Sequence, residues 1–122
     1  MKDAMKHLFV LNDPPYGTER SYNALRLARE LLKDPAAGNE AKLFLIGDAV
    51  ACAKRGQKVP QGYYSLETML HGVATRGSQI GVCGSCMDAR GLADADLSDD
   101  CRRSSMAELA TWTGWADKVI VF

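Results

Sequence analysis

His7-Leu8-Phe9-Val10-Leu11-Asn12 is a short, continuous apolar run that is followed at once by the turn residues Asp13-Pro14-Pro15. Continuous apolar runs of this length are typical of strands that are buried on both faces of a parallel sheet. Similar runs occur at 42–46, 79–83 and 118–122. The sequence therefore predicts at least four strands spread along the whole chain, of which those at 7–12 and 42–46 are expected to be buried.

Between these strands the apolar residues recur at helical spacing. Helices are predicted over 19–33, after the capping residue Ser65, and after Ser105, and a further helix is predicted to open at 84–91. Alternating strands and helices with right-handed crossovers predict a three-layer α/β/α domain. Its central sheet is expected to be mostly parallel, with four to five strands. The chain length fits one domain, so we expect residues 1–122 to form it alone.

The charge balance argues against a nucleic-acid partner. Fifteen basic residues offset fifteen acidic ones, so no overall field attracts an anionic polymer or membrane. No apolar run approaches the roughly 18 residues of a membrane span, and the run Leu8–Leu11 is too short for the core of a signal peptide. We therefore expect a cytoplasmic protein with no membrane partner, whose four cysteines are reduced.

Ligands of open parallel sheets bind beyond the carboxyl ends of the strands. Those ends are predicted at Asn12-Asp13, Gly47-Asp48 and Cys83-Gly84, and only the last offers a nucleophile. Cys83 precedes a predicted helix start, where unpaired amides stabilise a thiolate. Gly84 and Ser85 leave the backbone free to approach a bound sulfur anion, and Arg90 offers a positive charge. The alternative is that Cys83 is a buried, inert small hydrophobe.

The pair Cys83-Gly-Ser-Cys86 has the C-x-x-C spacing of thiol-disulfide redox proteins, although such a pair usually follows an early strand rather than the third. A zinc site would need two more ligands from Cys52, Cys101, His7 and His71, and none of these forms a second close pair. No glycine-rich nucleotide-binding loop is present. We therefore expect neither a metal nor a cofactor.

Four parts of the chain, in this order, resemble the DsrE/DsrF-like family of small sulfur-handling proteins. The parts are Asn12-Asp13-Pro14-Pro15-Tyr16-Gly17-Thr18-Glu19-Arg20 with 24–28, Leu43–Val50 with 56–58, Gly81-Val82-Cys83-Gly84-Ser85-Cys86-Met87-Asp88-Ala89-Arg90-Gly91, and 116–119 with Phe122. The resemblance implies an α/β fold with a central parallel sheet and homo-oligomers, often trimers or hexamers.

In the sulfur-relay members of that family, a cysteine ahead of an Arg-Gly pair accepts sulfur as a persulfide and passes it to the next protein. Cys83, with Arg90-Gly91 downstream, matches that position. The resemblance thus implies sulfur-donor and sulfur-acceptor proteins as partners. Cys86 departs from the relay subunits, which often lack a second cysteine there.

The sequence accordingly predicts a sulfur (persulfide) carrier or sulfurtransferase-like protein with Cys83 and Cys86 as the reacting thiols. The substrate contacts are predicted at Gly84, Ser85, Arg90, Asn12 and Asp13. Two alternatives stay open, namely a non-enzymatic oligomeric binding protein and a C-x-x-C redox protein. Interface-type residues near two helices also favour an oligomer, although the aromatic ones could equally belong to the core; they are Tyr63, Tyr64, Met69, Trp112 and Trp115.

Overall fold

A computed structural model describes residues 3–122, so residues 1 and 2 of the predicted domain lie outside the described residues. Five strands form one sheet in the order β4-β3-β2-β1-β5, and every neighbouring pair is parallel. The strands are Lys6–Leu11 (β1), Glu40–Leu45 (β2), Gln79–Cys83 (β3), Cys101–Ser104 (β4) and Lys118–Val121 (β5). The predicted α/β class, with a parallel sheet of four to five strands, is confirmed.

Burial on both faces explains why the central strands are apolar throughout. Leu8 and Phe9 are adjacent in β1 and point to opposite faces, yet both are fully buried. In β2, Leu43, Phe44 and Leu45 are likewise fully buried. A strand that is covered on both sides has no position at which a polar side chain reaches water, so it loses the alternation of a half-exposed strand.

The connections place the helices on both faces of the sheet. The helices are Arg20–Leu31 (α1), Leu66–Ala74 (α2), Gly84–Ala89 (α3) and Met106–Trp115 (α4), with 3-10 segments at Pro35–Ala37, Gly47–Ala53 and Asp94–Asp96. The crossovers through α1, α2 and α3 all step toward β4, whereas the crossover through α4 returns across the sheet to β5. Right-handed crossovers therefore put α4 alone on the opposite face. No helix within residues 3–122 is long and apolar enough to cross a membrane.

The edge strand β4 is a feature that the apolar pattern did not predict. Cys101–Ser104 pairs with β3 from Ile80↔Cys101 to Cys83↔Ser104. No strand was predicted in this charged region. The strand has four residues, and Arg102 and Arg103 in its middle are exposed. An edge strand with charged side chains lacks the apolar signal of the buried strands.

Trp112 anchors α4 to the sheet. Its indole is 3% exposed, meets Phe44 edge-on with ring centroids 6.3 Å apart, and covers Gly81 of β3. Of the two positions left open for this tryptophan, core and interface, the structure therefore shows the core of its own chain.

Candidate functional site

The parallel pairing brings three chain segments to one edge of the sheet, which we call the carboxyl edge. Leu11 pairs with Leu45, and Leu45 pairs with Val82, so Asn12, Ile46 and Cys83 follow in one row. Neighbouring strands lie about 4.8 Å apart, which places Asn12 roughly 10 Å from Cys83. The three strand ends at which a ligand site was predicted thus converge at one edge.

Cys83 is the last residue of β3 and the residue immediately before α3. Only 4% of Cys83 is exposed, and its Sγ lies 3.4 Å from the hydroxyl Oγ of Ser85. Burial acts to raise the pKa of this thiol, but the Ser85 hydroxyl, the Cys86 thiol and the amides of Cys86 and Ser85 outweigh it. The net pKa of Cys83 is lowered, because these donors stabilise the thiolate.

Cys86 lies one helical turn further on. Its pKa is raised, first by the interaction with the Cys83 thiol and second by burial. The backbone amide of Gly47 donates to Cys86 Sγ at 3.3 Å and acts in the opposite direction. The pKa values of the two thiols therefore shift in opposite directions, which makes Cys83 the candidate nucleophile of the pair.

Arg90 acts on Cys86 rather than on Cys83. Its guanidinium donates to the Cys86 carbonyl at 3.1 Å and forms two bonds to Asp48 Oδ1, at 2.7 and 3.0 Å. Its positive charge lowers the pKa of Cys86, although the raising effects of Cys83 and burial are stronger. Asp48 already occupies part of the Arg90 guanidinium. A contact of Arg90 with substrate stays a prediction.

Gly84 is the point at which β4 approaches the site most closely. A Cβ at this position would lie 2.9 Å from Arg103 Nη1 and 3.1 Å from the Ser104 carbonyl oxygen. Arg103 donates to the Gly84 carbonyl at 3.2 Å and forms ion pairs with Asp88 at 3.0 Å and Asp94 at 2.6 Å. A side chain at this position would force Arg103 and the backbone of β4 to shift, which favours glycine.

Asn12 and Asp13 lie at the carboxyl edge with their side chains engaged in the fold. Asn12 Nδ2 donates to the Phe122 carbonyl at 3.0 Å, which ties β1 to the end of β5. Asp13 Oδ2 accepts from the Thr18 hydroxyl at 2.9 Å and lies 3.8 Å from Arg20 Nε. These contacts shape the loop after β1, and a contact of either side chain with substrate stays a prediction.

For the other two cysteines, burial outweighs the serine hydroxyls beside them. Burial raises the pKa of Cys52 to about 12 and that of Cys101 to about 11, although contacts with Ser21 and Ser98 act in the opposite direction. His7 bonds to the Glu40 carbonyl and His71 to Asp100, so the histidines also have separate surroundings. Within residues 3–122, no cluster of three His, Cys, Asp or Glu side chains is arranged to hold a metal ion.

Gly47, Asp48 and Arg103 belong to the site but were not predicted as site residues from the sequence. Gly47 and Asp48 were recognised as a strand end, but their contacts with Cys86 and Arg90 span 39 and 42 residues. Arg103 belongs to the strand that the apolar pattern missed. Glycine directly after a buried strand was the available signal for Gly47, which adopts φ +59°; no comparable sequence signal marks Arg103.

Comparisons with known proteins cover almost the whole chain. Protein YchN of Escherichia coli K12 is 38% identical over 117 residues, which are 96% of this chain and 98% of that protein. An uncharacterized protein of Methanopyrus kandleri is 37% identical over 93% of this chain and 90% of its own length. The crystal structure of the E. coli ychN protein matches with a TM-score of 0.89 and 37% identity, covering 97% of this chain and 99% of the other.

A conserved protein of unknown function from Bacteroides thetaiotaomicron shares the fold with a TM-score of 0.63 at 17% identity, covering 95% of this chain and 94% of its own. The model of the DsrE/DsrF-like family matches residues 5–122, so the resemblance seen in the sequence is confirmed. The chain is a member of the DsrE/DsrF-like family.

Proposed function

We propose that this protein carries sulfur as a persulfide on Cys83, and that it exchanges that sulfur with donor and acceptor proteins. The Cys83 thiolate attacks the outer sulfur of a donor persulfide, the donor S–S bond breaks, and the donor leaves as a thiolate. An acceptor thiolate then attacks the outer sulfur of Cys83–S–SH, and Cys83 leaves as a thiolate. Neither transfer needs an external oxidant or reductant, because one S–S bond forms as another breaks.

The observation that carries the proposal is the position of Cys83, which ends β3 at the carboxyl edge with its Sγ 3.4 Å from the Ser85 hydroxyl. The pKa values of the cysteines agree with this position. Cys83 has a lowered pKa, whereas the pKa values of Cys52 and Cys101 are raised to about 12 and 11. A thiol with a lower pKa supplies more thiolate for attack and is also the better leaving group. The same donors therefore assist both the loading of sulfur and its release. Membership of a family that is generally linked to sulfur relay supports this assignment.

Persulfide detection after incubation with a cysteine desulfurase and cysteine tests the proposal. We expect mass spectrometry of the intact protein to show the addition of one sulfur atom, and peptide mapping to place it on Cys83. The variant Cys83→Ser should lose the added sulfur, whereas the matched variant Cys101→Ser, which removes another buried thiol, should keep it. Equal loading of the wild type and Cys83→Ser would overturn the proposal.

A second candidate function is dithiol redox exchange, and the contact between the two thiols favours it. The Cys83 and Cys86 thiols each shift the pKa of the other, so the atoms that a disulfide would join lie close together. The Cys83 thiolate would attack an external disulfide, one half of which leaves as a thiolate while the other half stays bound to Cys83. The Cys86 thiolate would then displace that second half as a thiolate and form Cys83–S–S–Cys86. If this is the function, Cys86→Ser traps the mixed disulfide at Cys83 and abolishes turnover.

A further inference from the structure

Two contacts hold Cys86 against the residues that follow β2. The Gly47 amide donates to its sulfur at 3.3 Å, and the Arg90 guanidinium donates to its carbonyl at 3.1 Å. Arg90 is in turn bound to Asp48, the neighbour of Gly47, at 2.7 Å. Gly47 therefore contacts the Cys86 side chain directly, and Asp48 is linked to the Cys86 backbone through Arg90.

We infer that Asp48 is a positioning residue that protects the persulfide on Cys83 from Cys86. This inference rests on the proposed function of Cys83. The Cys86 carbonyl accepts a hydrogen bond from Arg90 and keeps this cation beside Cys86, and Asp48 neutralises the positive charge that would otherwise draw out a thiolate at Cys86. The Cys86 thiol then stays protonated and attacks the persulfide slowly.

The reaction that Asp48 suppresses is an internal one. The Cys86 thiolate would attack the inner sulfur of Cys83–S–SH, form the disulfide Cys83–S–S–Cys86 and expel hydrosulfide, which takes up the proton lost from Cys86. Two sulfurs change partners without any external oxidant, because the persulfide itself is reduced to hydrosulfide. The carried sulfur is lost in this step, so a carrier gains from a slow attack by Cys86.

The charges around α3 make Asp48 the residue to test. Arg103, on the β4 side, is paired with both Asp88 and Asp94. Arg90, on the Gly47 side, is paired with Asp48. Removing the Asp48 carboxylate therefore leaves a cation without its ion-pair partner beside Cys86. The Asp48 side chain is 66% exposed, so its replacement leaves no hole in the core.

The first experiment measures the pH profile of Cys86 alkylation in a Cys83→Ser background, where no persulfide is involved. Asp48→Asn should shift the profile downward by about half a pH unit, which corresponds to a roughly threefold higher thiolate fraction at neutral pH. Asp48→Glu keeps the charge and should restore the original profile. Asp94→Asn removes a comparably exposed carboxylate from the Arg103 side and should leave the profile in place.

The second experiment follows the decay of the persulfide on loaded protein. Asp48→Asn should shorten its lifetime about threefold, in line with the larger Cys86 thiolate fraction. In a Cys86→Ser background the same substitution should change nothing, because the attacking thiol is absent. The inference is overturned if Asp48→Asn leaves the Cys86 alkylation profile unchanged, or if it shortens the lifetime equally without Cys86. A wild type that never loads sulfur refutes the proposed function instead, and the alkylation profile still decides the role of Asp48.

Discussion

At the residue scale, the candidate site holds two neighbouring cysteines whose pKa values shift in opposite directions. Against the effect of burial, the Ser85 hydroxyl, the Cys86 thiol and two amides lower the pKa of Cys83, whereas the interaction with Cys83 and burial raise the pKa of Cys86. We therefore expect the nearly buried thiol of Cys83 to be the nucleophile of the pair. Only 4% of Cys83 is exposed. This burial favours reaction with a sulfur atom at the end of a side chain over reaction with a bulky reagent.

The first prediction at this scale concerns the reactivity of Cys83. Limiting iodoacetamide should label Cys83 before Cys52 or Cys101, because the thiolate is the reacting species. With a pKa of about 12 for Cys52 and a lowered pKa for Cys83, the thiolate fractions differ by roughly a thousandfold or more at neutral pH. The rate at Cys83 should rise with pH and level off below the pH at which a free cysteine does. Peptide mapping after a short reaction measures both effects, and earlier modification of Cys52 or Cys101 would contradict the site.

A second prediction separates persulfide carriage from disulfide cycling. Cys86→Ser should leave sulfur loading intact, since a serine hydroxyl at this position still offers a hydrogen-bond donor to Cys83. The same variant should lengthen the life of the persulfide, because the internal attacker is gone. Mass spectrometry over a time course after desulfurase treatment measures both quantities. Complete loss of loading in a folded Cys86→Ser protein would favour the redox function instead.

At the scale of elements, the site depends on how closely β4 approaches the start of α3. Gly84 leaves room for the Arg103 side chain and the Ser104 carbonyl, and the Cys83↔Ser104 pairing continues the sheet up to the reactive thiol. The Ser104 hydroxyl and Arg102 both bind Glu108, at 2.5 and 2.7 Å, which ties β4 to the first turn of α4. These bonds lower the pKa of Glu108.

The prediction at this scale compares two glycine substitutions in helices. Gly84→Ala should destabilise the protein by about 1–3 kcal/mol, because the new methyl group meets a backbone oxygen that cannot move without displacing β4. Gly72→Ala, in α2, meets no atom within 4 Å and should stabilise by about 0.5–1 kcal/mol through helix propensity. Urea unfolding measures both changes. A Gly84→Ala protein as stable as Gly72→Ala would show that β4 does not constrain the start of α3.

At the scale of the whole molecule, one face of the sheet is incompletely covered. Phe44 contacts Trp112 of α4, and its partner Val10 pairs with Val121, so these side chains share the face of α4. Val121 is 66% exposed and Val119 is 45% exposed. Both belong to the edge strand β5, whose outer side has no neighbour in the described sheet. Exposed β-branched residues on an open edge are typical of surfaces that pair with another chain.

We therefore expect a homo-oligomer, with β5 as the part of the surface that sustains it. Light scattering at micromolar concentration should give a mass that is a multiple of 13.3 kDa. Val121→Glu places a charge on the exposed strip and should shift the protein toward the monomer. Leu27→Glu, which alters a 39% exposed leucine of α1, should leave the mass unchanged. A wild-type monomer at this concentration would rule out the oligomer.

The sequence alone was sufficient to predict the buried strands and the position of Cys83. Continuous apolar runs identify strands such as β1 and β2 because a strand covered on both faces must be apolar at every position. The same logic marks Cys83, which stands where such a run ends and a helix begins. Local pattern is enough in these cases because each depends on residues that are adjacent in the chain.

Only the tertiary structure decided the edge strand β4, the burial of Trp112 and the surroundings of Cys86. Arg102 and Arg103 carry no apolar signal, since an edge strand takes its hydrogen bonds from its neighbour rather than from its own composition. The contacts of Gly47 with Cys86 and of Asp48 with Arg90 join residues 39 and 42 positions apart, which the order of the strands brings together. Local patterning specifies elements, whereas the properties of the site arise from the parallel alignment of strand ends that are distant in the chain.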